Sequence, residues 1–143
     1  MKNKNNYKLL SLFIIIPLLL GIVSGLLTVP GSNIDSIIPS WIFPIVWSIL
    51  YILMGISSYI VFKKESIIPK IYPIQLLFNY LWVFIFFTFK QFTLSFIWII
   101  ILIILVIIMI KKFYQIDKTA GYLQIPHLIW LIIAAILNFQ FII

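Results

Sequence analysis

The chain has 143 residues, of which 64% are hydrophobic and 9% charged, with a mean hydropathy of +1.24. Soluble domains are usually about 45–50% apolar and about 25% charged, so this composition excludes a soluble fold. The formal net charge of +7 comes from lysines at the ends of apolar runs, which fits water and anionic lipid heads as partners and excludes a nucleic-acid-binding patch.

In lipid every backbone N–H and C=O must be paired within the protein, which leaves helices or a closed barrel. Barrel strands alternate apolar and polar residues, and the runs here do not. They last about twenty residues, the length a helix needs to cross roughly 30 Å of hydrocarbon. The expected fold is therefore an all-α membrane protein, a bundle of five transmembrane helices forming a single membrane domain over residues 1–143.

Helix 1 is predicted over about 9–29, following Lys2, Lys4 and Lys8. A basic start before an apolar run also fits a secretory signal, although this run exceeds the usual apolar length of about 7–15 residues. Pro17 lies inside it and should release the carbonyl of Phe13, kinking the helix. Gly21 and Gly25 form a GxxxG pair that permits close helix contact, either between protomers or within the bundle. A turn-rich loop from Pro30 to Pro39 holds Gly31, Asn33 and Asp35.

Helix 2 is predicted over about 40–62, with Ser40 as N-cap and Pro44 tolerated near the first turn. Helices 3, 4 and 5 follow over about 69–89, 92–110 and 119–143, and Pro126 should free the carbonyl of Tyr122. Five spans put Lys2, Lys4, Lys8, Lys63, Lys64, Lys70, Lys111, Lys112 and Lys118 on one side, with Lys90 opposite. The positive-inside rule then predicts the N-terminus inside and the C-terminus outside.

Polar groups at membrane depth are expensive, so they are the candidates for function. Asn79 and Asn138 each admit an interhelical hydrogen bond or a pocket amide that orients a ligand. Trp41 and Trp98 suit the membrane interface, whereas Trp82 and Trp130 lie too deep for it and Trp47 is intermediate. Trp130, Ala134 and Leu137 or Asn138 share one face of helix 5, as Trp47, Tyr51 and Met54 share one face of helix 2. Such faces line a pocket for a flat apolar ligand or simply pack the bundle. His127, the sole histidine, reads as a hydrogen-bonding group near the inner interface or as an axial haem ligand. Asp35, Glu65 and Asp117 all fall in predicted loops, and the chain lacks cysteine. No carboxylate pair, Ser/His/Asp arrangement or metal-ligand cluster is visible, which disfavours hydrolytic and metal catalysis.

Three stretches carry a resemblance. They are Pro39-Ser40-Trp41-Ile42-Phe43-Pro44-Ile45-Val46-Trp47-Ser48-Ile49-Leu50-Tyr51-Ile52-Leu53-Met54-Gly55, then Asn79-Tyr80-Leu81-Trp82 with Phe86-Phe87 and Gln91, then Pro126-His127-Leu128-Ile129-Trp130 with Ala134 and Leu137-Asn138. In order and spacing they resemble the tryptophan-rich sensory protein family, also called translocator protein or peripheral-type benzodiazepine receptor. The resemblance implies a five-helix bundle, often a homodimer, whose pocket opens toward the first loop and accepts porphyrins or haem-related tetrapyrroles, with no required cofactor. It places Trp47 and Trp130 as pocket tryptophans linked in bacterial members to porphyrin photo-oxidation, Asn79 as a pocket polar residue, and Phe43, Val46, Tyr51, Ala134 and Leu137 as its wall. With Trp82 and Asn138 these make up the expected ligand-binding set.

The chain departs from the pattern in a shortened first loop, where the usual Pro-Pro pair is Ile38-Pro39, and in His127 at the place of a tyrosine. Phe139 stands at the tyrosine of the cholesterol-type motif and no Lys or Arg follows it, so cholesterol is not an expected ligand. The functions expected are a porphyrin receptor or carrier in the bacterial cell membrane, a light- and oxygen-dependent porphyrin-degrading activity, or a structural membrane protein without a ligand.

Overall fold

The computed structural model describes residues 7–28 and 41–143, and the predicted first loop and Ser40 cap lie outside them. Among the described residues there are helices and short connections and no strand. They form α1 (Tyr7–Thr28), α2 (Ile42–Glu65), α3 (Ile71–Val83) continued by a π turn (Phe84–Thr88), α4 (Phe92–Ile116), α5 (Lys118–Leu123) and α6 (Ile125–Gln140). Five spans are long and apolar enough to cross a membrane: Tyr7–Leu27, α2, α3 with its π turn, α4, and α5 with α6.

The spans pack as a ring in the order α1, α2, α5 with α6, α4, α3 and back to α1, and α2 also touches α4. Lys8, Lys63, Lys64, Lys70, Lys111, Lys112 and Lys118 lie at one end of this bundle and Lys90 at the other, as the five-span reading requires.

Helix ends differ from expectation in three places, each for a local reason. α2 and α4 run past their predicted stops to Glu65 and Ile116: lysine is a good helix former, and in α2 Lys63 and Lys64 also sit in the last turn, at the negative end of the helix dipole. Ser66, at φ 59°, ends α2 with its N–H on the Phe62 carbonyl at 2.8 Å. The extended backbone of Asp117 ends α4, and its Oδ1 caps α5 by accepting from the Ala120 N–H at 3.2 Å. Pro126, which has no N–H to donate, splits the last span at Gln124, where the Gln124 N–H turns back to the Gly121 carbonyl at 3.2 Å. Glu65 and Asp117 are thus a helix end and a cap rather than loop residues.

Lipid is as apolar as leucine, so the helices are held by close packing and hydrogen bonds rather than by escape from water. Gly55 lets α2 close onto the α1 backbone: a Cβ there would lie 2.5 Å from the Phe13 carbonyl oxygen, the acceptor that Pro17 leaves without its helical donor. One turn on, the Tyr80 hydroxyl donates to the Pro17 carbonyl at 2.8 Å and ties α3 to the same bend. Gly21 makes room for the ring of Tyr51 inside the bundle, whereas a Cβ at Gly25 would meet no described atom within 4 Å. The first glycine of the pair therefore serves packing within the chain.

Candidate functional site

The ten expected pocket residues all point inward. Phe43 and Val46 are half-buried at the start of α2, while Trp47, Tyr51, Asn79, Trp82, Trp130, Ala134, Leu137 and Asn138 are buried. They separate into two neighbouring groups with different hydrogen-bonding states.

The first group is closed. The Trp82 indole N–H donates to Asn138 Oδ1 at 3.2 Å, and Asn138 Nδ2 donates to the Phe92 carbonyl at 2.9 Å. One asparagine thereby joins α3, α6 and the start of α4. The π turn strengthens this corner. Phe89 N–H reaches back five residues to the Phe84 carbonyl at 3.0 Å, and the widened turn lets both Phe86 and Phe87 meet Trp82, at centroid distances of 5.0 and 6.1 Å. Phe92 and Phe141 complete the cluster around Phe86.

The second group is a polar seam ending in an aromatic wall. Asn79 Nδ2 donates to both the side-chain oxygen of Gln75, at 2.8 Å, and its backbone carbonyl, at 3.0 Å. That fixes the amide, so Asn79 Oδ1 faces His127 Nε2 at 3.2 Å and must accept from it. In a neutral imidazole the proton is then on Nε2, which leaves Nδ1 as a bare acceptor. His127 is thus a hydrogen-bonding residue, one of the two roles expected. Gln75, wholly buried, leans on Met54 Sδ at 3.8 Å and links the seam to α2.

Above the seam, Trp130 meets Phe43 and Trp47 edge to face, with centroids 5.8 and 6.5 Å away, and Trp47 also meets the His127 ring at 6.1 Å. Trp47 stacks on Tyr51 at 5.6 Å, which in turn touches Tyr80 at 5.5 Å. The Trp130 Nε1 and His127 Nδ1 atoms are buried and have no hydrogen-bond partner, and the same holds for both amide atoms of Gln124 and for the Tyr72 hydroxyl. A buried unpaired polar atom costs about 1–3 kcal/mol, and two of these, on Trp130 and His127, both belong to residues whose rings touch Trp47, whereas Tyr72 lies apart against Phe113.

Trp47 and Trp130 therefore face the same place, and they touch. Their planes stand at 88°, and a flat macrocycle needs about 3.5–4.0 Å to the ring atoms on either side, so it does not fit between them in this arrangement. The wall must open for a ligand of that shape.

Two buried residues escaped the sequence reading. Gln75 precedes Asn79 by four residues on one face of α3, a spacing that pairs polar side chains, and its signal was present. Gln124 adjoins the proline break, where a polar residue reads as a loop. Trp98, expected at the interface, binds α4 to α3, stacking on Phe78 at 4.6 Å and donating to its carbonyl at 3.0 Å. Trp41 is exposed, as an interfacial residue would be. Among the described residues no group of three His, Cys, Asp or Glu is placed to hold a metal ion.

The family model described as TspO/MBR family matches residues 13–143. A tryptophan-rich sensory protein of Cereibacter sphaeroides is 35% identical over 104 residues, covering 71% of this chain and 66% of that protein. Protein CrtK of Rhodobacter capsulatus is 30% identical over 129 residues, 82% of this chain and 81% of its own length. A translocator protein of sheep, Ovis aries, is 31% identical over 109 residues, 71% of this chain and 64% of the relative. The chain thus spans slightly less than two thirds of the first and third of these relatives. With five membrane spans and a family match over all but its first residues, this multi-pass membrane protein belongs to the TspO/MBR family.

Proposed function

We propose that this protein is a membrane receptor or carrier for a porphyrin-type tetrapyrrole, held at the aromatic wall of Phe43, Val46, Trp47, Tyr51 and Trp130 with Asn79 behind it. The observation that carries this reading is the buried, unpaired Trp130 N–H in a wall of contacting aromatic edges. Large π faces attract a flat apolar ring, and an unmet donor supplies one directional contact to a heteroatom on it. The relatives' names, sensory protein and translocator, fit a binding protein of this kind. On this reading Trp130 swings away from Trp47 as the ligand enters, and Ala134 and Leu137 on the same face of α6 become its floor. With the lysine-rich end inside, as the positive-inside rule expects, the aromatic wall would lie toward the outer side of the membrane.

Titration of the purified protein with protoporphyrin IX, followed by tryptophan-fluorescence quenching, tests the proposal. The Trp47→Ala, Trp130→Ala double variant is expected to bind about tenfold or more weakly, at about 1 kcal/mol for each aromatic contact. Unchanged affinity would refute this site.

A second reading, light- and oxygen-dependent porphyrin breakdown, is favoured by the run of contacting oxidisable rings from Trp130 through Trp47 and Tyr51 to Tyr80. It predicts a new absorbing product under illumination that is lost on Trp→Phe change at position 47 or 130.

A further inference from the structure

A second site lies at the other end of the bundle, away from the aromatic wall. Between α1 and α2 runs a groove of about 380 Å³ lined by Tyr7, Leu10, Ile56, Tyr59, Ile60, Lys63, Lys64 and Asp117. Its floor is aliphatic and its mouth is cationic. We infer that this groove binds an anionic glycerophospholipid, one acyl chain along Leu10, Ile56 and Ile60 and the phosphate at Lys63 and Lys64.

Three observations support that occupant. The groove lies between residues of two membrane spans, so a void there forfeits dispersion contacts, and water would find few polar partners along Leu10, Ile56 and Ile60. An acyl chain fills such a space, whereas free phosphate has no use for it. The charge at the mouth is also positive. Asp117 is the one carboxylate there, and it is committed on both oxygens: Oδ2 to Lys64 Nζ at 2.8 Å and Oδ1 to the α5 cap. Lys63, whose ammonium lies 5.6 Å from the Tyr59 ring centroid, adds a further charge, and exposed Lys8 and Lys118 adjoin the lining residues Tyr7 and Asp117 in sequence. Finally, a basic pocket between spans at the lysine-rich membrane face matches the chemistry by which such pockets hold anionic headgroups. Lys64 keeps donors to spare, because an ammonium has three and Asp117 takes one.

The test uses the full chain, purified in detergent and reconstituted in nanodiscs of phosphatidylcholine with or without phosphatidylglycerol. Native mass spectrometry then counts retained lipid. One phosphatidylglycerol per chain is expected to persist where phosphatidylcholine is lost. The Lys63→Gln, Lys64→Gln double variant should bind it roughly thirty-fold more weakly. Ile60→Trp, which fills the floor without changing charge, should also release it. Asp117→Asn breaks the same ion pair yet leaves the lysines, and it should retain phosphatidylglycerol at least as well as the parent. Equal retention of the two lipids, or unchanged retention in the lysine double variant, would overturn the site. So would phosphatidylglycerol that binds only after deletion of residues 2–6, which would make the N-terminal segment the groove's occupant.

Discussion

Trp82 and Trp130 are both deep, buried tryptophans on the inward faces of facing spans, and the bundle treats them differently. The Trp82 N–H is answered by Asn138, which is itself answered by the Phe92 carbonyl. The Trp130 N–H is answered by nothing, and its neighbour His127 keeps a bare Nδ1. A membrane interior offers no water to hide such a difference. The satisfied indole fastens α3 to α6, and the unsatisfied one, beside contacting aromatic edges, is the group we propose meets ligand. The expected pocket residues thus divide: Trp82 and Asn138 hold the bundle, while Phe43, Trp47 and Trp130 are the ones proposed to meet the ligand.

Substitutions sharpen that division. Asn138→Leu leaves the Trp82 N–H unpaired in the bundle and takes one donor from the Phe92 carbonyl, which keeps the Ser95 hydroxyl at 3.0 Å. It is expected to cost about 1 kcal/mol of stability, read by unfolding in detergent, with porphyrin affinity within about twofold of the parent. A large loss of affinity at unchanged stability would move Asn138 into the ligand site. His127→Leu removes the partner of Asn79 and should cost about 1 kcal/mol. A bound state that fails to form in this variant, with the fold intact, would show that the seam contacts ligand as well as supporting the wall.

The smallest effect is expected at the Lys64–Asp117 pair, which is partly exposed, so Asp117→Asn should cost only a few tenths of a kcal/mol because asparagine still caps α5. Asp117→Ala, which loses the cap too, should cost about 1 kcal/mol. The hydrogen bond from Lys64 holds the Asp117 carboxyl below its ordinary value of 3.8. A carboxyl with a lowered folded-state pKa stabilises above its unfolded value, so the contribution is complete at neutral pH. It fades as the pH falls from about 3.8 through the lowered value. A pH-stability profile that moves in Asp117→Asn only above that window would contradict the assignment.

Much of this architecture is legible in the sequence. Hydropathy and lysine placement give five spans because lipid permits so few solutions, and the inward faces follow from helical spacing at Trp47, Tyr51 and Met54 and at Trp130, Ala134 and Leu137. The proline break at Gln124 was legible as a released carbonyl, though not as a division into two helices. The π turn at Phe84–Thr88 was not legible, because nothing in Phe-Ile-Phe-Phe-Thr distinguishes a five-residue return from a four-residue one. Nor could sequence tell Asn79 from Asn138. Both are buried amides in apolar runs, and only the positions of Gln75, His127, Trp82 and Phe92 decide which hydrogen bonds each can close.

The most direct test sets the two tryptophans side by side with a change that removes little more than the indole N–H and the second ring. Protoporphyrin IX affinity and unfolding midpoint are measured for Trp130→Phe and Trp82→Phe. The account predicts that Trp130→Phe weakens binding several-fold with the midpoint held or raised, and that Trp82→Phe lowers the midpoint and leaves binding nearly unchanged. Equal losses of affinity in both variants, or the reverse pattern, would contradict it.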